Sequence, residues 1–282
     1  MFKKKNIWIS EVVEDKINAI HDAGHEGFHV LSDFDRTLTY GSVEGKRIPS
    51  IISLLRNGEY LAEGYDKKAH ALFDMYHPIE LDSDVPLTEK KLKMAEWWET
   101  HNALLVESGL SQGDLKSIAT SGQLKFRDGV KEFLSELDKK QIPLVILSSS
   151  GAGQAVEYFF EAEGMRFSNI NFITNTFVWD VAGNAIEIQK PVIHSLNKDE
   201  MIIKDFPEVY AKVKDRKNVL LLGDGLGDLD MIKGFDYDTL LSVGFLNYDI
   251  EEQRKLYRDN YDIVIEGDVD FTQVIKIFKQ LI

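Results

Sequence analysis

The sequence of 282 residues contains no cysteine, and it has fewer basic than acidic side chains. Without thiols, the chain can form neither a disulfide scaffold nor a thiolate metal site, so only harder ligands such as oxygen are left for a metal ion. The 33 Lys and Arg residues against 47 Asp and Glu residues give a formal charge of −14. This charge argues against nucleic acid or an anionic membrane as a general partner.

Long hydrophobic runs are also missing. The basic start is followed by a segment that Glu11, Glu14 and Asp15 interrupt, so the sequence predicts neither a signal-peptide core nor a membrane span. We therefore expect a soluble, cytoplasmic monomer that binds neither membranes nor nucleic acid.

What the sequence does contain is an alternation of apolar runs and amphipathic segments, which is typical of an α/β protein with a doubly wound parallel sheet. The predicted strands are residues 29–31, 143–147, 219–223, 239–243 and 262–266. The predicted helices are residues 9–23, 129–140, 154–163, 199–213 and 229–234. Residues 172–179 and 185–188 flank a turn sequence, Ala-Gly-Asn, and predict a β-hairpin at the sheet edge.

Residues 41–123 differ from the rest of the chain in composition. They are rich in charged helix formers, contain no convincing strand, and include a helix predicted over residues 88–109. We therefore predict an inserted α-helical cap over residues 41–123, placed between two parts of one α/β core, residues 1–40 and 124–282.

Four carboxylates follow two of the predicted strands. Asp33 and Asp35 come directly after the first run, while Asp224 and Asp228 follow the run that ends at residue 223. Because the carboxyl ends of parallel strands open toward ligands at one edge, we expect these side chains to converge there. Like charges so close together are costly unless a cation such as Mg²⁺ is bound between them. For Asp33 and Asp35 alone, solvated loop acids that cap the next segment are an equal alternative.

Residues 33–39, which read Asp-Phe-Asp-Arg-Thr-Leu-Thr after an apolar strand, resemble the first motif of the haloacid dehalogenase-like phosphohydrolases. The resemblance implies that Asp33 attacks phosphorus to form an aspartyl phosphate, and that Asp35 is the general acid and base. It further implies that Mg²⁺ is held by Asp33, Asp35, Asp224 and Asp228.

The family's second motif, a Ser or Thr at a strand end, has its counterpart in the three serines at positions 148–150. The spacing to Gly151 favours Ser149 over Ser148, and it leaves the register open. By this resemblance Ser149 and Ser150 bind phosphate oxygens near a helix start. A polar turn between strand and helix is the alternative.

The third motif is a Lys that neutralises phosphate and nucleophile, and Lys198 is the better candidate because it precedes a predicted helix before the last acidic loop. Lys190 is the second candidate, and either residue could instead be an ordinary solvated lysine. The fourth motif, Gly-Asp-x-x-x-Asp, matches residues 223–228. It implies that Asp224 ligates the metal and that Asp228 holds a metal-bound water or Lys198.

The sequence of the predicted cap indicates a particular family within the haloacid dehalogenase-like phosphohydrolases. Its segments resemble the cytosolic pyrimidine 5'-nucleotidases of the nucleotidase III type, in particular residues 45–47, 78–82, 94–98 and 104–106. This resemblance extends over nearly the whole chain after residue 30, and it implies hydrolysis of nucleoside 5'-monophosphates, chiefly CMP and UMP or 7-methyl-GMP. It also implies that Glu96 recognises the base, although an acid on a helix surface would look the same in sequence.

Two other functions stay open at this point. A phosphoserine-type phosphatase of small metabolites would share the core chemistry and differ in the cap. A non-catalytic nucleotide-binding module would keep the metal and the nucleotide without turnover, but the intact pair Asp33 and Asp35 argues against it.

Overall fold

Seven strands form one central sheet in the computed structural model, which describes residues 6–43, 46–82, 84–198, 205–233 and 236–282. The strands are β1 Ile7–Ile9, β2 Phe28–Ser32, β3 Ser42–Val43, β4 Lys46–Arg47, β5 Leu144–Ser148, β6 Ile170–Thr174, β7 Phe177–Trp179, β8 Ala185–Ile188, β9 Asn218–Gly223, β10 Thr239–Leu246 and β11 Ile263–Glu266. The sheet has the order β1-β11-β10-β9-β2-β5-β6, and every neighbouring pair is parallel except β1 with β11.

The helices cover the sheet and form the region between β4 and β5. They are α1 Val13–Ala23, α2 Ile51–Asn57, α3 Tyr65–Leu81, α4 Leu87–Glu107, α5 Gln112–Ala119, α6 Val130–Lys139, α7 Gln154–Ala162, α8 Pro207–Val213, α9 Ile250–Asn260 and α10 Thr272–Leu281. There are also two 3₁₀ helices: His25–Gly27 directly precedes β2, and Leu226–Ile232 follows β9. Within the described ranges, no helix combines the length and the apolar character needed to cross a membrane.

The central strands β2, β5 and β9 are buried along their whole length. Successive residues enter different apolar clusters: Val30 and Leu220 belong to one, and Leu31 and Leu221 belong to the other. Because side chains alternate across a strand, the two clusters cover opposite faces of the sheet, as a parallel sheet requires. The predicted doubly wound α/β fold is confirmed.

Two local predictions were wrong at the edges of the sheet. The helix predicted from residue 9 begins only at Val13, because Ile7–Ile9 pairs with the distant strand β11. The predicted hairpin is also shorter, since residues 172–174 belong to β6 of the main sheet. Between β6 and β7, the Asn175 amide donates to the carbonyl of Ser150 at 3.1 Å and so ties this turn to a neighbouring loop. Neither long-range contact is visible in the local sequence pattern.

The inserted region is helical, as the composition indicates, with α2 to α5 following one another from residue 51 to residue 119. It also contains the two-residue strands β3 and β4, which the composition of this region does not predict. The exact division at residues 40 and 123 stays a prediction. Of the helix predicted over residues 199–213, residues 199–204 lie outside the described part of the chain, and the rest includes α8.

Candidate active site

The first acidic loop begins where β2 ends. The backbone amide of Asp33 still donates to the carbonyl of Leu222 in β9, at 3.0 Å, and the Thr37 hydroxyl donates to Asp33 Oδ2 at 3.3 Å. Arg36 then adopts a left-handed backbone conformation, with φ at 61°, which is unusual for a residue other than glycine. This tight turn keeps Asp33 and Asp35 at the same end of the sheet.

The second acidic loop follows the neighbouring strand β9. Oδ2 of Asp228 accepts the backbone amides of Asp224 at 3.0 Å and Gly225 at 2.9 Å, so the loop folds around its own carboxylate. Gly223 is required for this packing, because a Cβ atom there would lie 2.5 Å from Cβ of Asp228. Asp33, Asp224 and Asp228 each present a carboxylate oxygen, and these atoms lie within 4.8 Å of one another.

Lys198 lies between the two loops. Its buried ammonium donates to Asp33 and, at 3.1 Å, to Oδ1 of Asp228. Lys190, the second candidate for the third motif, instead forms a surface ion pair with Glu99 in which both side chains are more than half exposed. The structure therefore brings Lys198 to the acidic residues and leaves Lys190 at the surface.

The three carboxylates carry more negative charge than one ammonium can balance. Burial raises the pKa of Asp33, where Lys198 opposes the effect and Asp228 adds to it. Burial also raises the pKa of Asp224 well above its usual range, and the charges of Asp33 and Asp228 raise it further. A cluster of three oxygen ligands with surplus negative charge fits a hard divalent cation, which would favour the ionised carboxylates.

Asp35 differs from the other acids. It is half-buried, and burial raises its pKa to about 6, although Arg36 and Lys198 act in the opposite direction. A carboxyl group that titrates nearer to neutral pH can both donate and accept a proton during a reaction. Its carboxylate is not one of the three clustered groups, so the metal-ligand role assigned to Asp35 stays a prediction.

The serine loop follows β5, the other neighbour of β2. Ser148 is the last residue of the strand, and its buried hydroxyl accepts the amide of Ser150 at 3.2 Å. Ser149 is half-exposed, and the Ser150 hydroxyl is buried with no hydrogen-bond partner within the described ranges. Gly151 lets Trp98 of α4 pack against the loop, because a Cβ atom at residue 151 would lie 2.2 Å from the indole ring. The Ser148 hydroxyl already has a hydrogen-bond partner, which is consistent with the assignment of phosphate binding to Ser149 and not to Ser148. That assignment stays a prediction.

Glu96 lies on the exposed side of α4. One carboxylate oxygen accepts the Tyr76 hydroxyl at 2.9 Å and the other accepts the Lys93 ammonium at 2.8 Å. Tyr76, Trp97 and Trp98 are stacked in a row, with ring centroids 5.9 Å and then 5.7 Å apart. The structure thus places Glu96 beside an aromatic row, and its predicted contact with a base stays a prediction.

Two tyrosines support the site although no motif of the sequence predicts this role. The hydroxyls of Tyr257 and Tyr261 donate to the backbone carbonyls of Asp224 and Gly225. They come from α9 and from the residue that follows it, more than thirty positions away in the chain, and they hold the second acidic loop from behind. No local signal identifies them, because aromatic residues before a strand most often belong to the core.

Comparisons with known proteins show the family. The family model of the pyrimidine 5'-nucleotidases (UMPH-1) matches residues 36–282. A 7-methylguanosine phosphate-specific 5'-nucleotidase of Gallus gallus is 33% identical over 273 residues, which cover 96% of this chain and 94% of that protein. The protein of the same description from Homo sapiens is 32% identical over 257 residues, covering 91% and 85%.

Solved structures show the same relationship. The crystal structure of cytosolic 5'-nucleotidase IIIB bound to cytidine has a TM-score of 0.90 at 27% identity, covering 99% of this chain and 94% of that chain. A substrate-bound phosphoserine phosphatase has a TM-score of 0.53 at 16% identity, covering 88% of this chain and 96% of that one. At that identity the second likeness shows a shared fold alone.

Proposed function

Because the chain belongs to the pyrimidine 5'-nucleotidase (UMPH-1) family and is therefore a phosphoric monoester hydrolase, a 5'-nucleotidase, we propose that it hydrolyses nucleoside 5'-monophosphates with Mg²⁺ as its metal. The observation that carries the proposal is the buried Lys198 ammonium, which contacts Asp33 and Asp228 within the cluster that Asp224 completes. CMP, UMP and 7-methyl-GMP are the proposed substrates. Relatives named for 7-methylguanosine phosphate and a neighbour with bound cytidine support this choice.

The reaction takes place in two steps on the side chains of this protein. A carboxylate oxygen of Asp33 attacks phosphorus, the bond from phosphorus to the nucleoside oxygen breaks, and Asp35 gives its proton to that leaving oxygen. Water then attacks the phosphoryl group on Asp33, Asp35 takes the proton of that water, and phosphate leaves with Asp33 free again. Lys198 balances charge on the transferred group. Bound Mg²⁺, which Asp33, Asp224 and Asp228 would hold, supplies electrostatic stabilisation of the phosphoryl oxygens.

Residues outside the acidic cluster are proposed to bind the phosphate and the base of the substrate. We propose that the Ser149 hydroxyl and Ser150 bind phosphate oxygens. The buried hydroxyl of Ser150, which has no hydrogen-bond partner among the residues that the structure describes, supports this. Glu96 is the proposed base-recognising residue. Its carboxylate already accepts hydrogen bonds from Tyr76 and Lys93, so an amino group of the base would share or replace one of them.

We also propose that the protein works as a cytoplasmic monomer and has no nucleic-acid partner. Relatives named cytosolic 5'-nucleotidases support the compartment, and the charge of −14 weighs against a polyanionic partner. Size-exclusion chromatography with light scattering measures the oligomeric state directly.

Phosphate release from CMP, UMP, 7-methyl-GMP and phosphoserine tests the proposed function. We expect kcat/KM for the best nucleotide to exceed that for phosphoserine by at least about 10²-fold, because the cap recognises the nucleoside. Removal of divalent ions with a chelator should abolish activity, and added Mg²⁺ should restore it. A preference for phosphoserine would overturn the substrate assignment. Glu96→Gln should change the ratio of kcat/KM for CMP to kcat/KM for UMP. The two bases differ in the amino group that Glu96 is proposed to contact, which cytosine has and uracil lacks.

Lys198→Met is expected to lower kcat/KM by roughly 10²-fold or more, because it removes a buried positive charge beside the nucleophile. The matched variant Lys190→Met removes a lysine from an exposed ion pair with Glu99 and should change activity by less than about twofold. Steady-state phosphate release measures both. A larger loss for Lys190→Met than for Lys198→Met would reverse the assignment of the third motif.

A further inference from the structure

Arg127 is a buried arginine at the edge of the candidate site. Its side chain is almost fully inaccessible, with 1% of its surface exposed, and it precedes α6 by three residues. The guanidinium makes five hydrogen bonds: Nε donates to the carbonyl of Thr37 at 2.9 Å, Nη1 to Asp268 at 2.9 Å and to the carbonyl of Val269 at 2.6 Å, and Nη2 to the carbonyl of Arg36 at 2.6 Å and to Asn247 at 2.7 Å.

Two of the three backbone carbonyls that Arg127 binds belong to Arg36 and Thr37, the residues that directly follow Asp35. The carbonyl of Arg36 also accepts the Asn247 amide at 3.0 Å, so it is held from two sides. Arg36 is the residue with the left-handed backbone conformation. Such a conformation persists when its surroundings hold it in place, and here Arg127 and Asn247 provide the hydrogen bonds.

Asp268, the carboxylate that pairs with Arg127, binds the chain again at the start of the inserted region. It accepts the backbone amides of Gly41 at 3.0 Å and Ser42 at 2.6 Å, and also the Ser42 hydroxyl at 2.7 Å. One ion pair, between the buried Arg127 and the half-buried Asp268, therefore holds both ends of the short segment that runs from Asp35 to β3, the strand that leads into the predicted cap.

We propose that Arg127, together with Asp268 and Asn247, is a positioning residue for the reaction, and this rests on the proposed function. Arg127 fixes the backbone of residues 36–37 and thereby orients Asp35 toward the leaving oxygen, while Asp268 ties the same segment to the cap. A planar guanidinium suits this task because it can donate along several directions at once, which an ammonium cannot do with the same geometry.

Arg216 offers a matched comparison at the other end of β2. Its guanidinium also binds backbone carbonyls, those of His25 at 2.7 Å and Phe28 at 3.0 Å. The same kind of contact is therefore present at both ends of this strand, but the one that Arg127 makes adjoins Asp35.

The test compares Arg127→Ala, Arg127→Lys, Asn247→Ala and Arg216→Ala, with CMP and with p-nitrophenyl phosphate as substrates. For Arg127→Ala we expect kcat/KM for CMP to fall roughly 10²-fold, because small displacements of a catalytic group have effects of this size. The loss with p-nitrophenyl phosphate should be smaller, since p-nitrophenolate leaves without a proton from Asp35. Asn247→Ala should show the same pattern with a smaller loss, and Arg216→Ala should lower only the melting temperature.

Rescue distinguishes positioning from a general loss of structure. Guanidinium ion, added below denaturing concentrations, should raise the activity of Arg127→Ala at least about tenfold, and equal concentrations of sodium chloride should not raise it. Arg127→Lys should remain impaired. Near-ultraviolet circular dichroism checks that each variant is folded.

Several results would overturn the proposal. The first is a folded Arg127→Ala variant with nearly unchanged kcat/KM. The second is an equal loss of kcat/KM on both substrates that guanidinium does not reverse. If Arg127→Ala does not fold, an Asn247→Ala variant with full activity would overturn the proposal. Failure of the proposed function would look different, because the wild-type protein would then not release phosphate from nucleotides. The Arg127 series would in that case be decided by the loss and the guanidinium rescue of kcat with p-nitrophenyl phosphate, because hydrolysis of the phosphorylated Asp33 still needs Asp35 as a base.

Discussion

Asp33→Asn is expected to lower kcat by roughly 10⁴-fold or more, because the neutral amide of asparagine is a far weaker nucleophile toward phosphorus than a carboxylate. The fold should be preserved. Asparagine has nearly the same shape, and the change removes one of three crowded carboxyl groups. Burial already raises the pKa of this one, Asp33, so the loss of its charge should not destabilise the fold. Acid-quenched labelling from a substrate with radioactive phosphate provides a direct measurement. The wild-type protein should carry a hydroxylamine-sensitive label, and Asp33→Asn should carry none.

Asp230→Asn is the matched control for Asp33→Asn. Asp230 lies in the 3₁₀ helix of the second acidic loop, where it pairs with Lys233 at the surface, and it is not one of the three clustered carboxylates. Its substitution should leave kcat within about twofold of wild type. A labelled Asp33→Asn protein, or one that retains substantial turnover, would show that another residue is the nucleophile.

Asp35→Asn is expected to lower kcat/KM for nucleoside monophosphates by about 10³-fold, the size of effect that general acid catalysis supplies. The loss in kcat/KM should be much smaller with p-nitrophenyl phosphate, because its leaving group needs no proton. Hydrolysis of the phosphorylated Asp33 still needs Asp35 as a base, so the phosphoenzyme should accumulate with this substrate. The amount of radioactive phosphate that stays on the protein after acid quenching should therefore be higher in Asp35→Asn than in the wild type, whereas Asp33→Asn should carry none.

Equal losses of kcat/KM on both substrates would contradict the general-acid role of Asp35. They would point to a role in placing the metal or the phosphate, which the resemblance to the phosphohydrolase motif also implies. Binding of Mg²⁺ to Asp35→Asn, followed by calorimetry, separates these two roles, because a proton-transfer residue can be replaced without a large change in metal affinity.

The α/β fold and the family can both be predicted from the amino-acid sequence alone. Buried parallel strands are continuously apolar, and the carboxyl ends of adjacent strands meet at one edge, so two local motifs were enough to predict that their acids converge. The structure brings Asp33, Asp224 and Asp228 together at that edge. The motif order favours Lys198 over Lys190, and in the structure Lys198 is buried between the two loops.

The distant groups that support the site cannot be predicted from the sequence, because they meet only when the helices and strands pack together. Arg127 contacts Asp268 and Asn247 across more than a hundred residues, and Trp98 packs against Gly151 from a separate helix. The strand β1 likewise exists through its pairing with β11. Periodicity and motif spacing describe neighbours along the chain, whereas these contacts depend on how whole elements pack. A buried arginine and a surface arginine therefore look alike in sequence until packing removes one of them from water.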